Sequence, residues 1–127
     1  MSYPEKYRYT REHEWIAVEG SIGQIGITDY AQGSLGDIVF VDMPKVGDTV
    51  TANAVFGSVE SVKAVSDLFS PVTGTVTAVN EELKNAPDKL NEKPHETWII
   101  KVELADPAEL NDLLDAAAYE AFIAEES

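Results

Sequence analysis

The N-terminal part of the chain is rich in residues that favour β structure. Residues 13–18 form a β-prone run that ends at residues 19–21, a turn containing a glycine. Residues 22–27 then alternate apolar with small or polar positions, a period of two that places every second side chain on one face of a strand. These features predict two antiparallel strands joined by a tight turn.

A short helix is predicted next. Residues 28–32 can begin a helix with Thr28 or Asp29 as the N-cap, because both side chains can accept a hydrogen bond from a free backbone N–H of the first turn. Gly33 and Gly36 would end this helix, since glycine is the usual residue just after a helix.

The middle of the chain predicts a β sandwich. Residues 37–42 are strongly β-prone, and residues 49–51 follow a turn at residues 44–48. The tetrapeptide Thr-Val-Thr-Ala at residues 49–52 recurs at residues 75–78. Two similar β units on either side of a central segment suggest a quasi-symmetric sandwich of two sheets.

The central segment itself predicts a β-hairpin. Residues 55–59 lead into it and residues 68–74 lead out, and both runs are rich in β-branched and aromatic residues. Val62 and Lys63 would lie at its tip. Most lysines at exposed turns only keep the turn solvated, whereas a lysine at a tight tip is also accessible to a modifying enzyme. Shape alone favours the first interpretation.

The last third of the chain predicts one more strand and two helices. The first elements are, in order, a polar loop or short helix at residues 81–87, a loop at residues 91–96 and a strand at residues 97–102. C-terminal helices are predicted over about residues 107–124, with Asp106 as the cap of the first and Asp115 as the cap of the second. The polar residues after them are expected to fray.

Length and composition limit the class of protein. A chain of 127 residues is long enough for one domain with its own core, predicted to be residues 1–127. No apolar run approaches the ~20 residues needed to span a bilayer, and the first residues lack the features of a secretory signal or a transit peptide. We therefore expect a soluble cytoplasmic protein, or a mitochondrial-matrix protein if the chain is a processed one.

The charge balance excludes several partners. The net charge is −14, with 23 acidic against 9 basic residues. Nucleic acids and anionic membranes both require basic patches, so neither is an expected partner. The acidity favours basic partner surfaces instead. The chain has no cysteine, which excludes disulfides, a thiol nucleophile and a cysteine-ligated metal.

The chain lacks the residue patterns of an enzyme. His13 and His95 are far apart and fall in no metal-ligand spacing, and no dinucleotide or phosphate-binding loop is present. Trp15 and Trp98 are better explained as core anchors than as stacking platforms. We predict no catalytic residue and no metal site, and therefore no catalysis by the chain alone.

The residues around Lys63 resemble a known modification motif. Residues 60–67, Glu-Ser-Val-Lys-Ala-Val-Ser-Asp, closely resemble the lipoyl-attachment motif of the H protein family of the glycine cleavage system. The motif residues that surround the acceptor Lys63 are Glu60, Ser61, Val62 and Ala64.

The resemblance extends over nearly the whole chain. Residues 9–15, 25–32, 35–41 and 98–101 look like further signatures of the same family. One departure is visible at residues 94–97, Pro-His-Glu-Thr, where the family often has a turn containing glycine.

The resemblance implies a fold and a cofactor. The fold would be mainly β, a lipoyl/biotinyl-type barrel-sandwich hybrid of two antiparallel sheets with C-terminal helices, in which the lipoyl hairpin spans about residues 55–74. (R)-lipoic acid would form an amide with Lys63, giving N6-lipoyllysine, a long swinging arm that ends in a dithiolane. A lipoate-attaching enzyme is therefore an implied partner.

The resemblance also implies a carrier function. Glycine decarboxylase, a pyridoxal phosphate enzyme, would load an aminomethyl group on the arm. Aminomethyltransferase would pass the one-carbon unit to tetrahydrofolate, and dihydrolipoamide dehydrogenase would reoxidise the arm. A carrier that visits several enzymes in turn is best as a monomer.

Two carboxylates are candidate contacts of the loaded arm, whose new amine is expected to be cationic. Glu14 and Asp67 resemble family positions near the docked arm, and Asp67 lies four residues after Lys63, beside the root of the arm. The alternative is that both are ordinary exposed carboxylates.

Other functions remain open from the sequence. A biotin carrier shares the fold but usually has Met on each side of the lysine, where this chain has Val62 and Ala64. A lipoyl domain of a 2-oxo acid dehydrogenase is shorter, usually has Asp before the lysine and lacks the terminal helices. A lipoyl donor or relay protein, for lipoylation or regulatory modification of other proteins, would carry the same motif. A plain structural β module would leave that motif unexplained.

Overall fold

The computed structural model describes residues 3–126. Within them, nine strands form two sheets, accompanied by three short α-helices and two 3-10 helices. The strands β1 to β9 are Arg8–Tyr9, Glu14–Glu19, Ile22–Ile27, Ile38–Asp42, Thr49–Val50, Val55–Ser61, Val65–Phe69, Gly74–Val79 and Ile100–Leu104. The helices α1 to α3 are Asp29–Leu35, Lys89–Glu92 and Ala116–Glu126, and the 3-10 helices are Glu81–Lys84 and Pro107–Asp112.

The two sheets are antiparallel throughout. The larger has the strand order β1-β2-β3-β9-β8-β5, and the smaller has the order β4-β6-β7. This confirms the predicted mainly β architecture of two antiparallel sheets with short helices. The repeated tetrapeptides prove to be direct neighbours, because β5 pairs with β8 and Thr49 lies opposite Thr75.

An apolar core joins the two sheets. Ile16 and Ile25 from the large sheet belong to the same buried cluster as Val59 and Leu68 from the small sheet. Leu90 of α2 is fully buried in this cluster. Burial of this side-chain area is the main force that holds the sheets together.

A second, largely aromatic cluster packs α3 onto the edge of the large sheet. Tyr9 and Tyr119 stack at 4.8 Å between ring centroids, and Trp15 is buried beside them. The Trp15 indole N–H donates to the carbonyl of Pro94 at 2.9 Å, which confirms Trp15 as a core anchor. Trp98 is only half-buried at the margin of this cluster. It therefore contributes less to the core than the prediction of a core anchor implies.

The first helix is longer than predicted. Thr28 is its N-cap, because its hydroxyl accepts from the backbone N–H of Ala31 at 3.2 Å. Gly33 lies inside the helix and does not end it. Gly36 alone is the C-cap: its φ is +78°, and its N–H donates to the carbonyl of Gln32 at 2.9 Å. Glycine reaches this positive-φ conformation without the steric cost of a Cβ.

Two predictions for residues 91–102 are wrong in part. Asn91 and Glu92 belong to α2 and not to a loop, since buried Leu90 fixes this turn against the core. The last strand begins at Ile100. The Trp98 carbonyl accepts a hydrogen bond from the Asn80 side chain at 2.7 Å and not from a neighbouring strand. Trp98 therefore lies outside the last strand.

The C-terminal segments differ in helix type and length. Asp106 and Asp115 both cap as predicted, with their carboxylates accepting from Ala108 N–H and Ala118 N–H. The first helix is a 3-10 helix. The second continues as an α-helix to Glu126, past its predicted end near residue 124, and Ser127, also expected to fray, lies outside the described residues. No helix within residues 3–126 is long and apolar enough to cross a bilayer.

Candidate functional site

The hairpin tip is a two-residue turn with an ordinary backbone. Ser61 N–H donates to the carbonyl of Ala64 at 2.8 Å and closes the turn around Val62 and Lys63, as predicted. Neither of these two residues has a positive φ. A β-branched valine strongly disfavours positive φ, so the turn does not adopt the type I′ geometry common in two-residue hairpins.

The Ser61 side chain supports this turn from within. Its hydroxyl oxygen accepts from Lys63 N–H at 3.3 Å and from Ala64 N–H at 3.1 Å. A serine at the start of a turn stabilises the turn in this way. The motif serine therefore has a structural role in the turn that presents Lys63.

The tip is also tied to the neighbouring loop. Val62 N–H donates to the carbonyl of Asp37 at 3.0 Å. The Lys63 side chain leans over Gly36, with Cε 3.6 Å from where a Cβ on that glycine would lie. Lys63 remains exposed. Its amine is accessible while the backbone beneath it is held.

Asn91 of α2 clamps the loop that holds the tip. Its Nδ2 donates to the Gly36 carbonyl at 2.8 Å, and its Oδ1 accepts from Ile38 N–H at 2.9 Å. The clamp therefore brackets Asp37, the residue that accepts from Val62. The sequence predicts only a loop at Asn91 and does not reveal this contact, because its partners lie 53 to 59 residues away.

Glu14 is a buried carboxyl group, only 1% exposed, so for this residue the alternative of an exposed carboxylate is wrong. Its Oε1 accepts from the Thr10 hydroxyl at 2.6 Å, and its Oε2 accepts from Phe69 N–H at 3.1 Å. Burial raises the pKa of Glu14 to about 8, and the hydrogen bonds from Thr10 and Phe69 only partly oppose this.

Asp67 lies on the exposed face of β7, opposite Ser58 of β6. It precedes by two residues Phe69, whose backbone binds Glu14. The two predicted arm contacts are thus linked through β7, but their carboxylates do not contact each other. For Asp67 the interpretation as an ordinary exposed carboxylate stays open.

A cleft of about 200 Å³ lies beside Glu14. Its lining includes Thr10, Arg11, Glu12, Glu14, Phe69 and Asp112. The strand β7 runs from the hairpin tip to this cleft, and its five residues extend roughly 13 Å at ~3.3 Å per step. The cleft therefore lies about one strand length from the hairpin tip, and its lining includes a buried carboxyl group.

The two histidines have structural roles. His13 Nδ1 lies 2.7 Å from the Tyr119 hydroxyl, and its Nε2 lies 3.1 Å from a carboxylate oxygen of Glu126. His95 Nε2 accepts from Asp29 N–H at 3.1 Å, at the start of α1. Burial lowers the pKa of both histidines. These contacts explain their positions without any catalytic role.

Comparisons with known proteins identify the family. The family described as "Glycine cleavage H-protein" matches residues 7–126. The glycine cleavage system H proteins of Acidobacterium capsulatum and Koribacter versatilis are 68% and 64% identical, each over all of this chain and 98% of the relative. A crystal structure of the H protein from Mycobacterium marinum superimposes with a TM-score of 0.88 at 34% identity, covering 96% of this chain and 99% of that one. The chain belongs to the glycine cleavage H-protein family, and so it is a carrier component of that system and not an enzyme.

Proposed function

We propose that this protein carries the aminomethyl group of glycine on a lipoyl arm attached to Lys63. One observation carries the proposal: an exposed lysine lies at the tip of a held hairpin, inside a chain that matches the family over residues 7–126. The carrier is one domain, residues 1–127, with the lipoyl hairpin at about residues 55–74. It acts as a monomer in the cytoplasm.

Attachment requires a lipoate-attaching enzyme. The deprotonated Lys63 Nζ attacks the carbonyl carbon of an activated lipoyl group. A C–N bond forms, the activating group leaves with the electron pair of its bond, and one proton is released, with no change in oxidation state. The amide removes the lysine charge, so the arm can lie on the protein without burying an ammonium group.

The other partners act on the arm. Glycine decarboxylase loads the aminomethyl group, aminomethyltransferase transfers the one-carbon unit, and dihydrolipoamide dehydrogenase reoxidises the dithiol. Because the chain has no cysteine, the arm's sulfurs have no thiol of this chain to exchange with.

The loaded arm docks in the cleft beside Glu14. The amine on the arm is cationic, and Glu14 is the buried acid of that cleft. A cation nearby favours the carboxylate form and lowers the carboxyl pKa. Asp67 adds a second negative charge beside the arm's path. This contact would shield the aminomethyl group from hydrolysis until transfer.

The first experiment is intact-mass analysis after expression with a lipoylation system. We expect a lipoyl mass increase that is lost in Lys63→Arg and kept in Lys45→Arg, which changes another exposed lysine. A mass increase that matches biotin, or no mass increase at all, would contradict the proposal.

A second experiment separates carriage from a lipoyl relay. The lipoylated protein is mixed with glycine decarboxylase, glycine and labelled bicarbonate, and exchange of label into glycine is measured. Exchange supports the carrier function. Lipoylated protein that fails to exchange but donates its lipoyl group to other proteins would favour the relay.

A further inference from the structure

The exposed apolar side chains of this protein gather on one sheet. Within residues 3–126, seven large apolar side chains are exposed, and five of them belong to the small sheet or its hairpin tip. These five are Val39, Phe40, Val55, Val62 and Val65. The remaining two, Val18 and Val46, lie elsewhere. A cluster of exposed apolar side chains marks an interaction site more often than scattered ones do.

The strand register brings these side chains next to Lys63. Phe40 of β4 lies opposite Glu60 of β6, which lies opposite Val65 of β7. Directly paired residues share one face of a sheet, so these three side chains form a row across all three strands. All three are exposed.

A β-bulge widens the row. The register of β4 against β6 shifts between Ile38 and Phe40, so Val39 and Phe40 are both exposed although they are consecutive. Bulges commonly redirect a side chain near functional sites. Val62, at the tip itself, continues the apolar surface to Lys63 and is 70% exposed. We name Val39, Phe40, Glu60, Val62 and Val65 the tip patch.

Acidic groups border the tip patch. The next row on the same face is Asp42, Ser58 and Asp67, paired in the same way across the three strands. With Glu60 this gives three carboxylates around the apolar side chains. A partner surface that complements this face is apolar at its centre and basic at its edge. A second copy of this chain fits poorly, because its own three carboxylates would face the first set.

We propose that the tip patch is the docking surface for the enzyme that acylates Lys63, and that this enzyme offers an apolar pocket flanked by arginine or lysine. The inference rests on the proposed function. An enzyme that forms a bond to Lys63 Nζ must reach the root of the side chain, and so it must cover the surface next to it. Enzymes that act on the far end of the arm work at a distance from that root.

The experiment measures lipoylation kinetics of the unmodified protein with a purified lipoate ligase, free lipoate and ATP. The variants are Phe40→Ser, Val65→Ser and the double variant. Val46→Ser is the matched control, because Val46 and Val65 are 61% and 65% exposed. We expect kcat/KM to fall about tenfold or more in the double variant, and to be unchanged in the control.

Two further measurements exclude a simple structural effect. Acylation of Lys63 by a small activated ester should proceed at the same rate in all variants, because no docking is involved. Glu60→Gln should flatten the dependence of kcat/KM on salt, since it removes one charge from the patch. Loss of ester reactivity in the double variant would overturn the proposal, because a distorted tip would then explain the kinetics.

The remaining outcomes are also decisive. If the double variant is lipoylated as fast as Val46→Ser, the tip patch is not the docking surface, while the carrier function stands. If sedimentation shows a dimer that Val65→Ser abolishes, a second copy occupies the patch and the inference is wrong. If the native protein is never lipoylated at Lys63, both the inference and the proposed function are wrong.

Discussion

Glu14 is a carboxylic acid whose surroundings favour its protonated form. It is buried, and burial raises its pKa to about 8. In an empty cleft near neutral pH, most molecules therefore hold a proton on this group. A cationic amine entering the cleft would displace that proton, because the carboxylate then gains a partner that solvent cannot provide at this depth.

Replacing Glu14 with glutamine should change how stability depends on pH. The folded pKa, about 8, lies above the ordinary value of 4.5. Between these values the folded state binds more protons than the unfolded state, so the free energy of unfolding falls as pH rises through this window. A shift of this size corresponds to a loss on the order of 5 kcal/mol. Glu14→Gln should lack this decrease with pH. Urea unfolding at about pH 5, 7 and 9 measures the free energy of unfolding of both proteins.

Glu19 provides the control for this comparison. It is exposed at the opposite end of β2 from Glu14, so Glu19→Gln should keep the pH dependence of the native protein. Equal pH dependence in Glu14→Gln and in the native protein would show that Glu14 is ionised in the folded state at neutral pH.

At the level of single elements, the sequence predicts those that depend on local residues. The hairpin tip at Val62 and Lys63 follows from the β-prone runs beside it, and Asp106 and Asp115 cap where their sequence context indicates. The cap at Asp106 does not predict whether the helix that follows is an α-helix or a 3-10 helix. Leu113 adopts an extended conformation with φ −94° and ψ 163°, so the segment ends after a few 3-10 turns.

Contacts between distant segments could not be predicted. Asn91 occupies a polar stretch that reads as a loop, yet its amide spans two residues of the loop beside the tip. Glu14 lies within a predicted strand as a candidate arm contact, and only the packing of β7 shows it to be buried. In both cases the partner lies more than 50 residues away.

Asn91→Ala should loosen the hairpin tip. The substitution leaves the Gly36 carbonyl and Ile38 N–H without their side-chain partner, which should lower the free energy of unfolding by about 1–3 kcal/mol. Asp37 then moves more freely, so the Val62 amide that it binds should exchange its hydrogen faster. Hydrogen exchange followed by NMR measures this at the level of the single amide.

Asn85→Ala is the matched control, since Asn85 is an exposed asparagine away from the clamp. It should leave Val62 exchange unchanged. If Asn91→Ala lowers stability but Val62 exchanges as in the native protein, the clamp holds the fold and not the tip.

The whole molecule combines a buried apolar core between two sheets with a large excess of negative charge. Its net charge is −14, and few of its acidic residues form ion pairs with lysine: within residues 3–126 these are Glu81 with Lys84 and Glu82 with Lys89, both exposed. Exposed pairs of this kind contribute little to stability. Self-repulsion among the remaining carboxylates therefore opposes folding.

Added salt should raise the melting temperature. Screening at about 300 mM NaCl shortens the range of the repulsion relative to about 20 mM, so Tm should rise by a few degrees. Calorimetry measures the shift. A variant with four exposed glutamates changed to glutamine, at positions Glu5, Glu19, Glu120 and Glu125, should show a smaller rise. An equal rise in both proteins would assign the effect to the salt's action on apolar hydration.

The backbone of the turn around Lys63 requires no glycine or asparagine at its two central positions. Because neither has a positive φ, side chains other than valine and lysine fit this backbone without strain. Ala64 has no positive φ either, so methionine on both sides of the lysine, the pattern of biotin carriers, also fits this backbone. Side chains around the lysine, and not the backbone conformation of the turn, therefore distinguish the two kinds of carrier. Substitution at the tip therefore changes the surface that a modifying enzyme meets and leaves the fold beneath it unchanged.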